Sequence, residues 1–232
     1  MLGAVAAVLT GCGGSGSDDV PTSQATPQAG GGNSLIAQGR RIFRFETFGD
    51  EAKWTDRLRL HEVIAAAVDP TTALSVGLKV DVDALPQSLK NGILKGTVDL
   101  KSPQTTLALL ELDAVIGLKG KVDKENNILR LKSVGTTCAL CHSTVDNSFA
   151  PGIGKRLDGW PNRDLNVGAI IALSPAVSDA EKMLLNKWGK GFYDPRHNVD
   201  GLNKPVVIPP AYGLAGINKI TFTGDGDDAV DF

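Results

Sequence analysis

The residues of this chain that could do chemistry are few, and they cluster. Among 232 residues there are three cysteines and three histidines. The stretch Cys138-Ala139-Leu140-Cys141-His142 holds two of those cysteines and one of the histidines. This is C-x-x-C-H, the attachment pattern of c-type haem. On one helical turn Cys138 and Cys141 fall on the same side, about 4.5 Å of rise apart, where both sulfurs can join haem vinyl groups as thioethers. His142 follows directly, so its imidazole can reach the iron from that side. Three other chemistries use cysteines at this spacing. A thioredoxin-like redox pair needs a βαβ setting, and a following histidine is not part of it. Zinc needs four ligands, and the chain has no second cysteine pair. A disulfide across two residues closes a small strained loop. The spacing therefore points to one covalent haem c.

What such an iron does depends on its opposite axial position. The sequence offers His61, Met183 and His197, or an open, water-bound site. His61 lies on the apolar face of a predicted helix. Met183 stands at helical spacing with Leu184 and Trp188, a pattern that core packing alone also explains. His197 sits in a polar loop, Asp194-Pro195-Arg196-His197-Asn198. A second imidazole or a thioether saturates the iron and favours electron transfer, whereas an open position admits peroxide or oxygen. Arg156, Arg163 and Arg196 are candidates for pairing with haem propionates, because a guanidinium matches a carboxylate bidentately; one of the three is expected to do so. The acidic end GDGDDAVDF lacks the spacing of a calcium loop and reads as a solvated tail.

The elements that must position these residues follow from periodicity and breakers. Helices are predicted over 34–43, 47–68, 84–94, 103–112 and 178–188. In the second, Trp54, Leu58, His61 and Ile64 or Ala65 share a face, and Asp69-Pro70 ends it. In the fourth, Ser102 is the cap and Pro103 the first helical residue. In the last, Ala180, Met183, Leu184 and Trp188 share a face. Strands over 114–122 and 128–134 make a hairpin that feeds into the haem motif, and 189–232 reads as loop covering the haem. The expected fold is mainly α, a cytochrome c-like haem domain with an N-terminal helical elaboration and a small β-hairpin before the motif. Residues 34–113 would cover the distal face and supply His61; residues 114–232 would bind the haem.

The third cysteine, Cys12, ends an apolar leader, and Leu9-Thr10-Gly11-Cys12 has the form of a lipoprotein cleavage site. Residues 1–11 read as signal peptide. Residues 12–33 read as a lipidated cysteine followed by a Gly, Ser, Pro, Thr and Gln tether with too little apolar surface to fold. The expectation is an exported, periplasmic protein anchored to a bacterial membrane by lipid at Cys12. Gly13 in place of aspartate favours the outer membrane. Hydrophobic residues at 42% supply a core, and 24 basic against 26 acidic residues leave a net charge of -2, which excludes a dedicated nucleic-acid binder.

Several stretches together resemble bacterial exported c-type cytochromes related to the di-haem cytochrome c peroxidase and MauG-like superfamily. They are GRRIFRFETFGDEAKWTDRLRLHEVI (39–64), TALSVGLKVDVDALP (72–86), SVGTTCALCHSTVDNSFAPGIGKRLDGWPNRDLNVGAIIAL (133–173) and VIPPAYGLAGIN (207–218). Pro151-Gly152-Ile153 also resembles the G-P-x-L element of cytochromes c. That resemblance implies that the Pro151 carbonyl accepts a bond from the second nitrogen of His142. Members of the group carry a second C-x-x-C-H; this chain has one, which makes it a mono-haem relative or part of a longer pattern. The reading that follows is transfer of single electrons, through one haem, to and from redox partner proteins. The alternative is a peroxidase- or oxygenase-like haem enzyme, or part of a di-haem enzyme. A ligand-swapping sensor is the third possibility.

Overall fold

The computed structural model describes residues 31–195 and 201–213, with side chains from residue 34 onward. Cys12 and its tether, Arg196, His197 and the acidic end lie outside these residues. The first helix, α1 (Gly31–Phe45), brings Phe43 to a small apolar cluster with Ile116, Ala139 and Val145. The helix predicted over 47–68 is two pieces. A π-helical turn spans Ala52–Arg57, Arg59 is left-handed at φ 54°, and α2 (Leu60–Ala67) starts afresh. The break has a partner far along the chain. The buried Thr55 hydroxyl donates to Val134 O at 2.7 Å and accepts from Val134 N–H at 2.8 Å. The widened turn still lets both Trp54 and Leu58 bury.

Asp69 caps α3 (Pro70–Ser75), accepting from Thr72 N–H at 2.7 Å, with Pro70 at the first position, where its missing N–H costs nothing. β1 (Val80–Asp81) leads into a 3-10 turn over Val82–Ala84. Pro86 shortens the predicted 84–94 helix to α4 (Gln87–Leu94), because the residue before a proline avoids helical backbone. α5 (Pro103–Glu111) begins where predicted, although the Ser102 side chain makes no capping bond. β2 (Leu118–Glu125) and β3 (Ile128–Thr136) form the predicted hairpin. Its turn residues Asn126 and Asn127 have φ of 50° and 63°, the positive values that a tight two-residue hairpin turn demands.

The C-x-x-C-H turn follows as α6 (Ala139–His142), and the chain leaves it in β4 (Ser143–Val145). β5 (Ile153–Gly154) pairs in parallel with β1, and β6 (Arg156–Asp158) pairs antiparallel with β4. α7 (Val167–Ala172) packs against α8 (Asp179–Leu185), which Ser178 caps through Glu181 N–H. β7 (Phe192–Tyr193) and β8 (Val206–Val207) close the described chain as an antiparallel pair. The expectation of a mainly α haem domain is overturned. The described residues are 40% helix and 19% strand, their strands lie in two-stranded sheets, and the fold is mixed α and β. The physical cause is that helices are cut short by Pro86, Arg59 and the left-handed glycines. The segments between them find backbone partners as short strands instead.

One apolar core runs through both parts, from Trp54 and Leu60 through Leu107, Leu110, Val134 and Leu140 to Leu165 and Ile208. No helix among the described residues is long and apolar enough to cross a membrane. The start of β2 presses directly on α6. Gly117 has φ +82°, and a Cβ there would lie 2.1 Å from Leu140 Cα. Gly117→Ala is therefore expected to cost more than about 2 kcal/mol in urea unfolding, with backbone strain and overlap combined. Gly49→Ala has similar φ but open space around it and should cost only about 1 kcal/mol.

Candidate functional site

α6 is too short to satisfy its own backbone, and neighbours do so. Within the turn, Leu140 N–H donates to Thr137 O at 3.0 Å and His142 N–H to Cys138 O at 3.1 Å. From outside, Thr137 N–H donates to Gly117 O at 3.0 Å, while Cys141 O accepts from Asn162 N–H and His142 O from Gly159 N–H, both at 2.8 Å. The Asn162 side chain, itself buried, donates to Gly77 O at 2.9 Å. Cys138 and Cys141 thus stand three residues apart on a fixed turn, as the spacing implied. Both are free thiols. Cys138 is exposed and Cys141 is packed against the core. Burial, with Cys138 adding to it, pushes the Cys141 thiol up to about 12. Tyr193 is pushed up to about 12 as well, by burial first and then by the Cys141 charge. Tyr193, like Cys141, packs against the main apolar core, a placement no local pattern announces.

His142 Nδ1 lies 3.0 Å from the carbonyl oxygen of Pro209. A carbonyl can only accept, so Nδ1 carries the proton and the lone pair stands on Nε2. That is the tautomer a metal ligand needs, and a second-sphere acceptor of this kind fixes ring orientation and raises basicity. Burial lowers the basicity of the imidazole, and the Pro209 bond works against that. The resemblance to cytochromes c assigned this carbonyl to Pro151. Pro151 instead occupies an exposed turn closed by Ala150 and Ile153, and the acceptor on His142 is 67 residues downstream of it in the chain. Only the Pro-Pro pair in VIPPAYG, two carbonyls without accompanying N–H groups at 209 and 210, hinted at it.

The candidates for the opposite axial position are not brought to His142 by any hydrogen bond among the described residues. His61 is the second residue of α2, half-buried, and its Nδ1 is enclosed without a hydrogen-bond partner. Its neighbour Leu60 and Leu140 of the motif border one wholly apolar cleft, together with Trp54 and Val134; Cys138, Cys141, His142 and His61 do not line it. Met183 departs from its predicted face: it is 65% exposed, while Leu185 and Trp188 are the buried residues of that region. Of the arginines, Arg163 is exposed. Arg156 is not: only 3% of its side chain is accessible, with Asp158 at 3.6 Å and Asp81 at 3.8 Å. Its Nε and Nη2 have no hydrogen-bond partner. Burial depresses its pKa; Asp158 opposes this, Arg44 adds to it and Asp81 opposes it. In the β4–β6 ladder Arg156 sits opposite Val145, and Asp158 sits opposite Ser143, the residue after His142.

No group of three or more His, Cys, Asp or Glu gathers around a metal-sized space among the described residues. A haem iron does not require one, since its porphyrin supplies four ligands and the protein only axial ones. Two thiols on one turn, an imidazole with Nε2 free and a buried guanidinium with unmet donors are a donor set that fits a covalent haem. The chain matches no family model, and no curated protein or solved structure matches it. In the haem-free chain a thiol alkylating reagent at pH 8 should modify Cys138 at least about tenfold faster than Cys141, because the reactive form is the exposed thiolate. Peptide mass spectrometry reads this directly, and equal rates would contradict the burial described.

Proposed function

We propose that the protein is an exported c-type cytochrome that passes single electrons through one haem c, tethered to a bacterial membrane by lipid at Cys12. The observation that carries the reading is the bond from His142 Nδ1–H to Pro209 O within a C-x-x-C-H turn. A dithiol redox pair has no use for a histidine held in that tautomer, and zinc, which could use it, needs four ligands, whereas no group of three or more His, Cys, Asp or Glu gathers among the described residues. When bound, haem supplies a one-electron ferric/ferrous couple. Cys138 and Cys141 would hold it as thioethers, and His142 would ligate through Nε2. Arg156 would offer its two unpartnered N–H groups to a propionate carboxylate.

His61 would be the second protein ligand of the iron, since its enclosed Nδ1 lacks a hydrogen-bond partner whereas Met183 faces solvent. A saturated iron suits electron transfer between proteins. The relation to the di-haem peroxidase and MauG-like group, in which a second haem would be needed, belongs to the same proposal.

The test begins with a haem stain on a denaturing gel and the electron paramagnetic resonance spectrum of the ferric protein. Covalent haem with a low-spin spectrum that turns high-spin in His61→Ala is the expected result. Covalent haem with a high-spin wild-type spectrum would move the reading to a peroxide-reactive enzyme. Absence of covalent haem would end both. A second outcome concerns Arg156. Removing a buried cation beside the haem stabilises the ferric, more positive state, so Arg156→Gln is expected to lower the reduction potential; an unchanged potential would take Arg156 out of the haem environment.

A further inference from the structure

We infer that residues 201–213 form a clamp whose anchors, rather than the proline that touches His142, are the positioning residues of the proximal ligand. The inference rests on the haem reading for its consequence but not for its geometry. Pro209 is exposed, and its carbonyl would be free to wander if the segment were loose. It is pinned on both sides. One residue before it, Ile208 is buried at 3% exposure and its N–H donates to Gly191 O at 2.9 Å. Two residues after it, Ala211 N–H donates to Gly159 O at 2.8 Å. Gly159 N–H in turn holds the carbonyl of His142 itself, also at 2.8 Å. Backbone and side chain of His142 are thus gripped by one closed circuit: His142 O to Gly159, Gly159 O to Ala211, and Pro209 O back to His142 Nδ1.

Further up the segment three more contacts fix the register. Trp188 Nε1–H donates to Asn203 Oδ1 at 2.5 Å. Lys204 N–H donates to the buried Asp194 carboxylate at 2.6 Å. Phe192 and Tyr193 of β7 pair with Val207 and Val206 of β8. The two glycines that receive the pins are left-handed, at φ +85° for Gly159 and +77° for Gly191. A Cβ on Gly191 would meet Arg163 O at 2.9 Å, and one on Gly159 would meet Tyr212 Cβ at 3.2 Å. Both turn tightly enough to receive the clamp because they lack a side chain. Electrically the carbonyl of Pro209 does what a second-sphere acceptor does: it fixes the imidazole tautomer and increases its donor strength. The clamp supplies that carbonyl with a fixed address in the protein, and it does so before any iron is bound.

The test uses two variants away from His142, Ile208→Asp and Asp194→Ala, with Ile208→Val as the conservative control. In the full-length chain produced without haem, nitrogen-15 NMR of histidine reads the tautomer of His142, and amide exchange in the β2–β3 hairpin reports whether the rest of the fold persists. Wild type and Ile208→Val should show the Nδ1–H tautomer at about nine-tenths or more. Both disruptive variants should show the mixture of a free imidazole while the hairpin amides stay protected. In the haem-loaded protein the same two variants should raise the reduction potential, since a weaker donor stabilises ferric iron less, and Ile208→Val should leave it unchanged. A His142 tautomer or a potential unmoved when Ala211 N–H has lost its protection would overturn the clamp. If wild type carries no covalent haem, the functional proposal fails, and the tautomer measurement still decides the clamp.

Discussion

A single helical turn cannot hold itself. In an isolated α-helix the first four N–H groups and last four carbonyls lack partners, and α6 is only Ala139–His142, so nearly all of its backbone must be satisfied from elsewhere. Much of the fold can be read as the set of segments that meet this need. The left-handed Gly117 at the head of β2 brings a carbonyl to Thr137, Gly159 and Asn162 bring N–H groups to the carbonyls of His142 and Cys141, and the clamp brings Pro209 to the ring of His142. Each of these groups sits where chain direction changes, which is why glycine, asparagine and proline surround the motif. Two-stranded ladders result, since each segment needs to stay extended only long enough to reach the turn and leave it.

The charged groups beneath the motif obey a related constraint. Lys79 has 7% of its side chain accessible and meets Asp164 at 2.5 Å. Arg44 meets Asp158 at 2.6 Å, and Ser143 Oγ donates to the other oxygen of that carboxylate at 2.9 Å. Such pairs, each with at least one partner partly in water, gain little net stability. Their effect is positional. Ile116 N–H donates to Lys79 O at 2.9 Å, so the Lys79–Asp164 pair ties the β1 region to both the approach to β2 and the segment after the motif. Asp158 ties α1 to the strand that continues from His142.

What the sequence displayed was whatever depended on residues close together in the chain. The C-x-x-C-H spacing, the existence of the hairpin before it, and the proline start of α5 are all decided within a few residues. What it concealed depended on distant partners. The 47–68 pattern has full helical periodicity, yet Thr55 finds Val134 79 residues away, and that contact coexists with a π-helical turn and a left-handed Arg59. Met183 and Leu184 looked like a core face from their helical spacing, but in the packing of α8 against α7 it is Leu185 that is buried. The carbonyl on His142 was assigned to the nearest proline by resemblance, whereas chain geometry delivers it from a segment that local periodicity read only as loop.

Buried polar atoms without partners are where a fold shows what it is built around. An unmet buried donor or acceptor costs on the order of 1–3 kcal/mol, comparable to a sizeable share of a domain's net stability. His61 Nδ1 and the Nε and Nη2 of Arg156 are among such atoms here. Asp158 and Asp81 approach the Arg156 guanidinium to 3.6 and 3.8 Å, which neutralises its charge at a distance but leaves its directional bonds unmade. Under the proposed reading a carboxylate of the haem supplies those bonds and an iron takes the imidazole, so the same bound group that the two cysteines hold covalently would also discharge the costs. The two kinds of site are then linked energetically. On that reading the thioethers would keep the haem from leaving without bond cleavage, and the groups it satisfied would make its presence stabilising for the protein, so folding and cofactor retention would reinforce each other through residues far apart in the chain.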